Sequence, residues 1–203
     1  MAETSLPAGA DHRQPRLYSI GHSNHPVEVF LGLLVRHRIE TVVDTRSQPR
    51  SRWASQYDKA VLEETLRERG FRYLFLGREL GGRPEGAEYY DPEGRVLYDR
   101  VAASRRFASG MERLLGLSGR TALLCSEEDP AVCHRFLLIA RVLRERGMPV
   151  EHIRGDGSVQ TDEEVLAVES DGQMSLFDAP EERPWRSIRS VSPAELPRTS
   201  SRP

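Results

Sequence analysis

Lysine is almost absent from this chain: of 29 basic residues only Lys59 is a lysine, and the rest are arginines. Acidic residues number 31, so the net charge is −2 and the sequence pI about 6.3. No global positive field marks the chain as a nucleic-acid binder, and any such surface has to be a local patch. Arginine forks suit phosphate. A GC-rich genome also supplies arginine codons throughout, so their number alone carries no argument. Cysteine is scarce as well. Two residues, Cys125 and Cys133, make no disulfide framework, which excludes the small stapled secreted domains and leads us to expect the cytoplasm. No apolar run approaches the roughly 20 residues that cross a bilayer. The N-terminal MAETSLPAGADHRQPR has an early acid and no apolar centre, so neither a signal peptide nor a membrane partner is expected.

What the chain does contain is alternation. RLYSI (16–20), ETVVD (40–44), FRYLFL (71–76), RTALLC (120–125) and MPVEHI (148–153) are short apolar runs of the kind that form buried strands. Between the first two, Asn24 or His25 is placed to cap a helix with Pro26 at its first position and apolar residues at 27, 30, 31, 34 and 35. YDKAVLEETLRERG predicts a helix ending at Gly70, Tyr98–Leu117 another, and AVCHRFLLIARVLRERG an amphipathic one begun after Pro130 and stopped by Gly147. The glycine-rich stretch 77–95 is too long for a simple connection. Strands alternating with helices imply right-handed crossovers. The expected fold is α/β: a single three-layer domain over 16–168 with a mainly parallel central sheet of about five strands. Residues 1–15 are expected to be a disordered leader. Residues 169–203, with five of the 13 prolines from Ser170 onward, are expected to be a flexible tail.

In an open parallel sheet, ligands bind beyond the carboxyl ends of the strands. The residues that follow the first four strands are therefore the candidates. They are His22 and Ser23; Asp44, Arg46, Arg50, Arg52 and Trp53; Gly77 to Gly82; and Cys125 to Glu128. His22, Asp44 and Glu127 are acid/base candidates. Arg46 and Arg135 are placed to hold phosphate, and Arg46, Arg50 and Arg52 around Trp53 combine cations with a stacking platform for a single strand. The segment LLCSEEDPAVCHR (123–135) admits four readings. Cys125, Cys133 and His134 could ligate a metal, though structural zinc needs four ligands, usually in close pairs. The two cysteines could form a redox pair. At a helix start, Cys133 could have a lowered pKa and react as a nucleophile, with His134 and Arg135 beside it. Both cysteines could also be small core residues. The Cys-x5-Arg phosphate loop is excluded, because Ala131 stands where its arginine would be.

Four motifs in order, YSIGHSN, VVDTRSQPRS, YLFLGRELGG and LLCSEEDPAVCHR, resemble the bacterial and archaeal family called domain of unknown function 488, over about Tyr18 to Val159. The resemblance implies a compact α/β domain whose signature falls on His22, Ser23, Asp44, Arg46, Gly77, Leu80, Gly81, Gly82, Cys125, Glu127, Cys133, His134 and Arg135. It implies nothing about the reaction. In the tail, QMSLF resembles the pentapeptide with which bacterial polymerases and repair proteins dock on the sliding clamp, with Gln173, Ser175, Leu176 and Phe177 as its anchors. The reading that joins these observations is a DNA- or nucleotide-acting enzyme, a hydrolase of glycosidic or phosphodiester bonds in DNA repair, recruited by the clamp. Its catalytic candidates are His22, Asp44, Cys125, Glu127, Cys133 and His134, and its substrate-binding candidates Ser23, Arg46, Arg52, Trp53, Gly81, Gly82 and Arg135. It assigns no cofactor and no metal. A cysteine/histidine metal or redox sensor, or a non-catalytic nucleic-acid-binding module, is the alternative.

Overall fold

The computed structural model describes residues 15–50, 53–170 and 185–191. Expectations for the leader up to residue 14, for Arg52, and for Gln173, Ser175, Leu176 and Phe177 lie outside the described residues. Six strands, β1 (Arg16–Gly21), β2 (Thr41–Asp44), β3 (Arg72–Phe75), β4 (Arg120–Cys125), β5 (Val150–Ile153) and β6 (Val159–Gln160), form one sheet in the order β3-β2-β4-β1-β5-β6. The first five are parallel and β6 runs antiparallel to β5. The fold is the α/β class expected, with a sixth strand added at one edge.

Both faces of the sheet are covered, which is why its strands are continuous apolar runs. Against one face, α1 (Val27–Arg36) and α2 (Lys59–Glu68) bury Phe30, Leu34, Leu62 and Leu66 on Tyr18, Ile20, Val42 and Leu124. Pro26 is the N-cap of α1 rather than its first helical residue; its extended backbone supplies the entry turn, and its ring fixes φ. The chain leaves α2 through Gly70 at φ +80°, a conformation that costs glycine nothing. Against the other face lie α3 (Gly77–Leu80), α4 (Tyr98–Ala102), α5 (Arg105–Leu115), α6 (Arg141–Glu145) and α7 (Asp162–Ser170), with Phe107, Met111, Leu138 and Leu143 buried on Leu17, Val43 and Leu123.

Two expected helices are broken. Tyr98–Leu117 divides into α4 and α5 because the Ser104 side chain accepts a hydrogen bond from the Phe107 N–H at 3.2 Å and caps a new helix. The stretch after Pro130 begins as a single 3₁₀ turn, Pro130–Val132. It straightens at Cys133 (φ −109°, ψ 144°), then continues as a π-helical segment, Arg135–Ala140, into α6.

The crossovers decide where a ligand can enter. From β1 to β2 to β3 the chain steps one way across the sheet over the first face. From β3 to β4 to β5 it steps back over the second. The segments that follow β1 and β2 therefore part from the one that follows β4, and the sheet edge opens around the end of β4.

The flexible-tail expectation does not hold over Trp185–Val191. Tyr98 N–H donates to the Trp185 carbonyl (2.9 Å), Ser187 N–H to Val96 (2.9 Å), Val96 N–H to Ser187 Oγ (2.9 Å) and Val191 N–H to Gly94 (2.9 Å). The Arg141 guanidinium lies 4.4 Å from the centre of the Trp185 ring. An indole with a cation over it and a row of paired backbone groups hold this segment to the body.

A Ser–His–Asp series on the second face has the residue order of a hydrolase triad but with the two ring nitrogens exchanged. Ser19 Oγ donates to His152 Nδ1 (2.7 Å), His152 Nε2–H donates to Asp162 Oδ1 (2.9 Å), and Asp162 Oδ2 accepts from Val150 N–H (3.3 Å). All three residues are at most 1% exposed, so the series is a structural pin between β1, β5 and α7. Burial holds the His152 pKa below its ordinary 6.5, against the pull of Asp162. Folded His152 thus stays neutral where the unfolded chain takes up a proton. Its contribution to stability is complete above about pH 6.5 and is lost as pH falls below it. Denaturant unfolding measured at about pH 7.5 and about pH 5 is expected to show a lower midpoint at the acid end. His152→Gln is expected to remove part of that difference.

Candidate functional site

Gly21 pairs with Cys125, and Asp44 with Leu124, so the carboxyl ends of β1, β2 and β4 are level. On this edge the polar side chains sort into two layers. The inner layer is closed. Asp44, fully buried, accepts from Arg46 Nε (2.9 Å), Arg46 NH2 (2.7 Å), the Arg46 backbone N–H (3.1 Å) and the Tyr73 hydroxyl (2.8 Å). Arg46 NH1 donates to His22 Nε2 at 3.1 Å, which leaves the His22 proton on Nδ1, where it is donated to the Ser23 carbonyl at 2.7 Å. The His22 ring stacks on Tyr57 with centroids 4.1 Å apart. Burial first, and then the Arg46 charge, lower the His22 pKa to about 4, so the ring is neutral at ordinary pH. The carboxylate and the imidazole expected to do acid/base work are thus saturated: they hold the loop after β2.

The outer layer is the cysteine cluster. Cys125 ends β4, and Cys133 is the residue from which the next helix starts: its carbonyl accepts from the N–H groups of Phe136 and Leu137, both at 3.0 Å. Cys125 Sγ lies 2.8 Å and Cys133 Sγ 3.5 Å from Glu127 Oε2, and both thiols donate to it. His134 Nδ1 lies 3.7 Å from Cys125 Sγ and 3.6 Å from Cys133 Sγ, while its Nε2 faces the Thr45 carbonyl at 3.2 Å. The imidazole fits because residue 82 is glycine; a Cβ there would fall 2.7 and 2.8 Å from its Cγ and Nδ1.

The two thiols are pushed apart electrically. The hydrogen bond from Cys133 lowers the Cys125 pKa well below the ordinary range; burial opposes it, and His134 and Arg135 add to it. Burial, and then Cys125 itself, raise Cys133. The helix-start expectation made Cys133 the acidic thiol; the direction here is the opposite, with the lowered pKa on Cys125 at the strand end. Burial, the largest single influence, works against a charged His134, but the charge and hydrogen bond of Cys125 together with Glu127 raise the imidazole. Burial, followed by Cys125, raises Glu127.

Arg135 does not hold a phosphate. It is 1% exposed, and its two terminal nitrogens donate to the backbone carbonyls of Glu127 and Glu128. Gly21 makes room for this crossing, since a Cβ there would fall 1.7 Å from the Glu127 carbonyl oxygen. Gly81 is likewise a packing requirement, with Gly77 O and Ser47 Oγ both 2.2 Å from an ideal Cβ.

Over the cluster lies a cavity of about 420 Å³. Cys125, Glu127, Cys133 and His134 line it, as do Gly82, Tyr98 and Ser187–Val191, and four arginines stand around it: Arg46, Arg50, Arg83 and Arg189. Of the expected site residues, His22, Ser23, Asp44, Trp53, Gly81 and Arg135 are not among those lining the cavity. Arg83, Arg189 and the Ser187–Val191 wall went unrecognised in the sequence. The signal that could have revealed the wall is the spacing of Trp185, Ile188 and Val191, three apart in a polar tail.

Because Asp44 balances a buried guanidinium, Asp44→Asn is expected to destabilise the protein by roughly 3–5 kcal/mol, as removing one partner of a buried ion pair does. Adding Arg46→Met to that variant should recover part of the loss. Chemical denaturation of both variants decides the point; unchanged stability in Asp44→Asn would return Asp44 to a purely chemical role.

No curated protein and no solved structure matches the chain. A family model described as domain of unknown function DUF488 matches residues 26–142, which takes in α1, β2 to β4 and the whole cluster from Cys125 to Arg135, but not His22. With more than half of its length under that match, the protein belongs to the domain of unknown function 488 family.

Proposed function

We propose that the protein is a hydrolase of nucleotides, or of one nucleotide at a time in a DNA strand, and that its substrate is seated in the arginine-rimmed cavity over Cys125. The observation that carries this reading is the charge of the cavity: Arg50, Arg83 and Arg189, apart from Arg46 that Asp44 already neutralises, against Glu127, the one acidic side chain among its described lining residues. A concave site with that imbalance selects an anion, and guanidinium forks match phosphate oxygens in pairs. Its volume suits one nucleotide and is too small for a duplex. Glu127 is the group in the wall placed to take a proton from an attacking water. Asp44, Arg46 and His22 act as positioning residues, since they fix the loop that carries the rim and the Thr45 carbonyl behind His134.

The proposal includes recruitment by the bacterial sliding clamp. Gln173–Phe177 falls, in sequence, between α7, which ends at Ser170, and Trp185, which packs on Arg141. Leu176 and Phe177 would be its apolar anchors. Titration of the full chain with clamp, beside a Leu176→Ala, Phe177→Ala variant, tests this part separately; equal binding by both removes it.

The substrate reading is tested by calorimetric titration with a nucleoside 5′-monophosphate and with a short single-stranded oligonucleotide. Arg83→Ala with Arg189→Ala is expected to weaken binding about ten- to hundredfold, the loss of roughly 1.4–2.8 kcal/mol from two charge-assisted contacts. Trp53→Ala, outside the cavity, should leave mononucleotide binding unchanged. Glu127→Gln should bind the substrate but release no product. Absence of any nucleotide affinity at low salt, or a preference for duplex, sinks the reading.

A further inference from the structure

We infer that Cys125, Cys133 and His134 form a binding site for a thiophilic divalent cation of the zinc class, with its fourth position open to the cavity beside Glu127. The site stands whether or not the cavity takes a nucleotide. It rests first on distances. The two sulfurs and His134 Nδ1 all lie within 4.8 Å of one another, and the sulfur–nitrogen separations are 3.7 and 3.6 Å. In a tetrahedral centre with metal–sulfur bonds of about 2.3 Å and metal–nitrogen bonds of about 2.0 Å, a sulfur–nitrogen edge is about 3.5 Å. Both sulfur–nitrogen edges thus match such a figure, with the two sulfurs within 4.8 Å of each other.

The second support is the orientation of the histidine. With Nε2 at 3.2 Å from the Thr45 carbonyl, the proton that a neutral ring keeps belongs on Nε2, and Nδ1 is left to ligate. A backbone carbonyl on the far nitrogen is the usual outer partner of a metal-bound imidazole. That carbonyl is itself fixed, because Thr45 N–H and Thr45 Oγ1 both bond to the Leu124 carbonyl, at 3.1 and 2.8 Å. The ligands are held by a strand end, a helix start and a glycine that clears the ring. Little has to move on binding.

The donor set selects the ion. Two sulfurs and one imidazole suit zinc, cobalt or another soft to borderline cation, and do not suit magnesium or calcium. Glu127 marks the fourth side. Its Oε2 is 3.5 Å from Cys133 Sγ but 2.8 Å from Cys125 Sγ, shorter than a tetrahedral oxygen–sulfur edge, so it stands as hydrogen-bond acceptor of the thiol rather than at a corner. When the cation binds, each thiol gives up its proton and the two sulfurs become its ligands. Glu127 then faces whatever oxygen fills the open position. Three protein ligands with an open fourth position is the pattern of catalytic zinc, not structural zinc.

The test is metal analysis of the intact chain purified without chelators, followed by replacement of the metal with Co²⁺. The expected result is about one zinc per chain and, with cobalt, the intense visible bands of a four-coordinate ion with thiolate-to-metal charge transfer. Cys125→Ser, Cys133→Ser and His134→Ala should each abolish tight binding, while Glu127→Gln should keep it. If a ligand variant does not fold, the cobalt spectrum of the wild-type protein still decides. Cobalt uptake without sulfur charge transfer, two thiols that react freely in the presence of zinc, or metal retained by Cys133→Ser and His134→Ala would each overturn the site. Nucleotide binding measured on the same preparation before and after chelation reports on the cavity separately, so either reading can fail alone.

Discussion

A buried arginine sets the terms for this sheet edge. Arg135 carries a charge that it cannot lose, is 1% exposed, and sits in the first turn of a helix, where a cation is poorly placed. The backbone carbonyls of Glu127 and Glu128 supply part of the compensation, and they do so only because the loop after β4 folds back over the helix start. That fold-back brings the Glu127 carboxyl against both cysteines. It also requires glycine at position 21, on the neighbouring strand. Its Nε has no hydrogen-bond partner among the described residues, and, after the Cys133 hydrogen bond and His134, the guanidinium adds to the lowering of the Cys125 pKa. One guanidinium thus shapes the loop, fixes a residue on β1 and biases the chemistry of a thiol.

The second buried arginine works differently. Arg46 is neutralised by Asp44 two residues before it, through a two-point fork that also orders the backbone of the turn. His22 takes the remaining face of the same guanidinium and is kept neutral by it. This inner layer therefore has no free donor or acceptor left for a substrate among its main groups, yet it holds the Thr45 carbonyl that orients His134. The separation explains how one edge can carry so many polar residues. Half of them are scaffold for the other half.

Much of this was legible in one dimension. The five apolar runs became five parallel strands, so that the carboxyl ends of β1, β2 and β4, with Asp44 and Cys125, meet on one edge. Helix breaks were less legible. Ser104 reads as an ordinary helical serine until its side chain is seen capping α5, and the straight Cys133 between a 3₁₀ turn and a π-helical segment has no periodic signature. The strap at Trp185–Val191 was hidden by the flanking Pro184 and Pro193 and by its polar neighbours, since its attachment is a backbone pairing with Val96 and Tyr98 nearly ninety residues earlier.

By itself, then, the sequence determined the α/β class, the edge on which the polar strand-end residues gather and the residue types available there, because apolar periodicity and strand-end position are local properties of the chain. Only the tertiary structure decided which of those residues is spent on another and which faces a cavity. Asp44 and Glu127 are both carboxylates at the carboxyl end of a strand; what separates them is that a guanidinium closes over the first, whereas two thiols and an open cavity meet the second. A residue's partners across the fold are set by packing between segments far apart in the chain, and no local pattern records them.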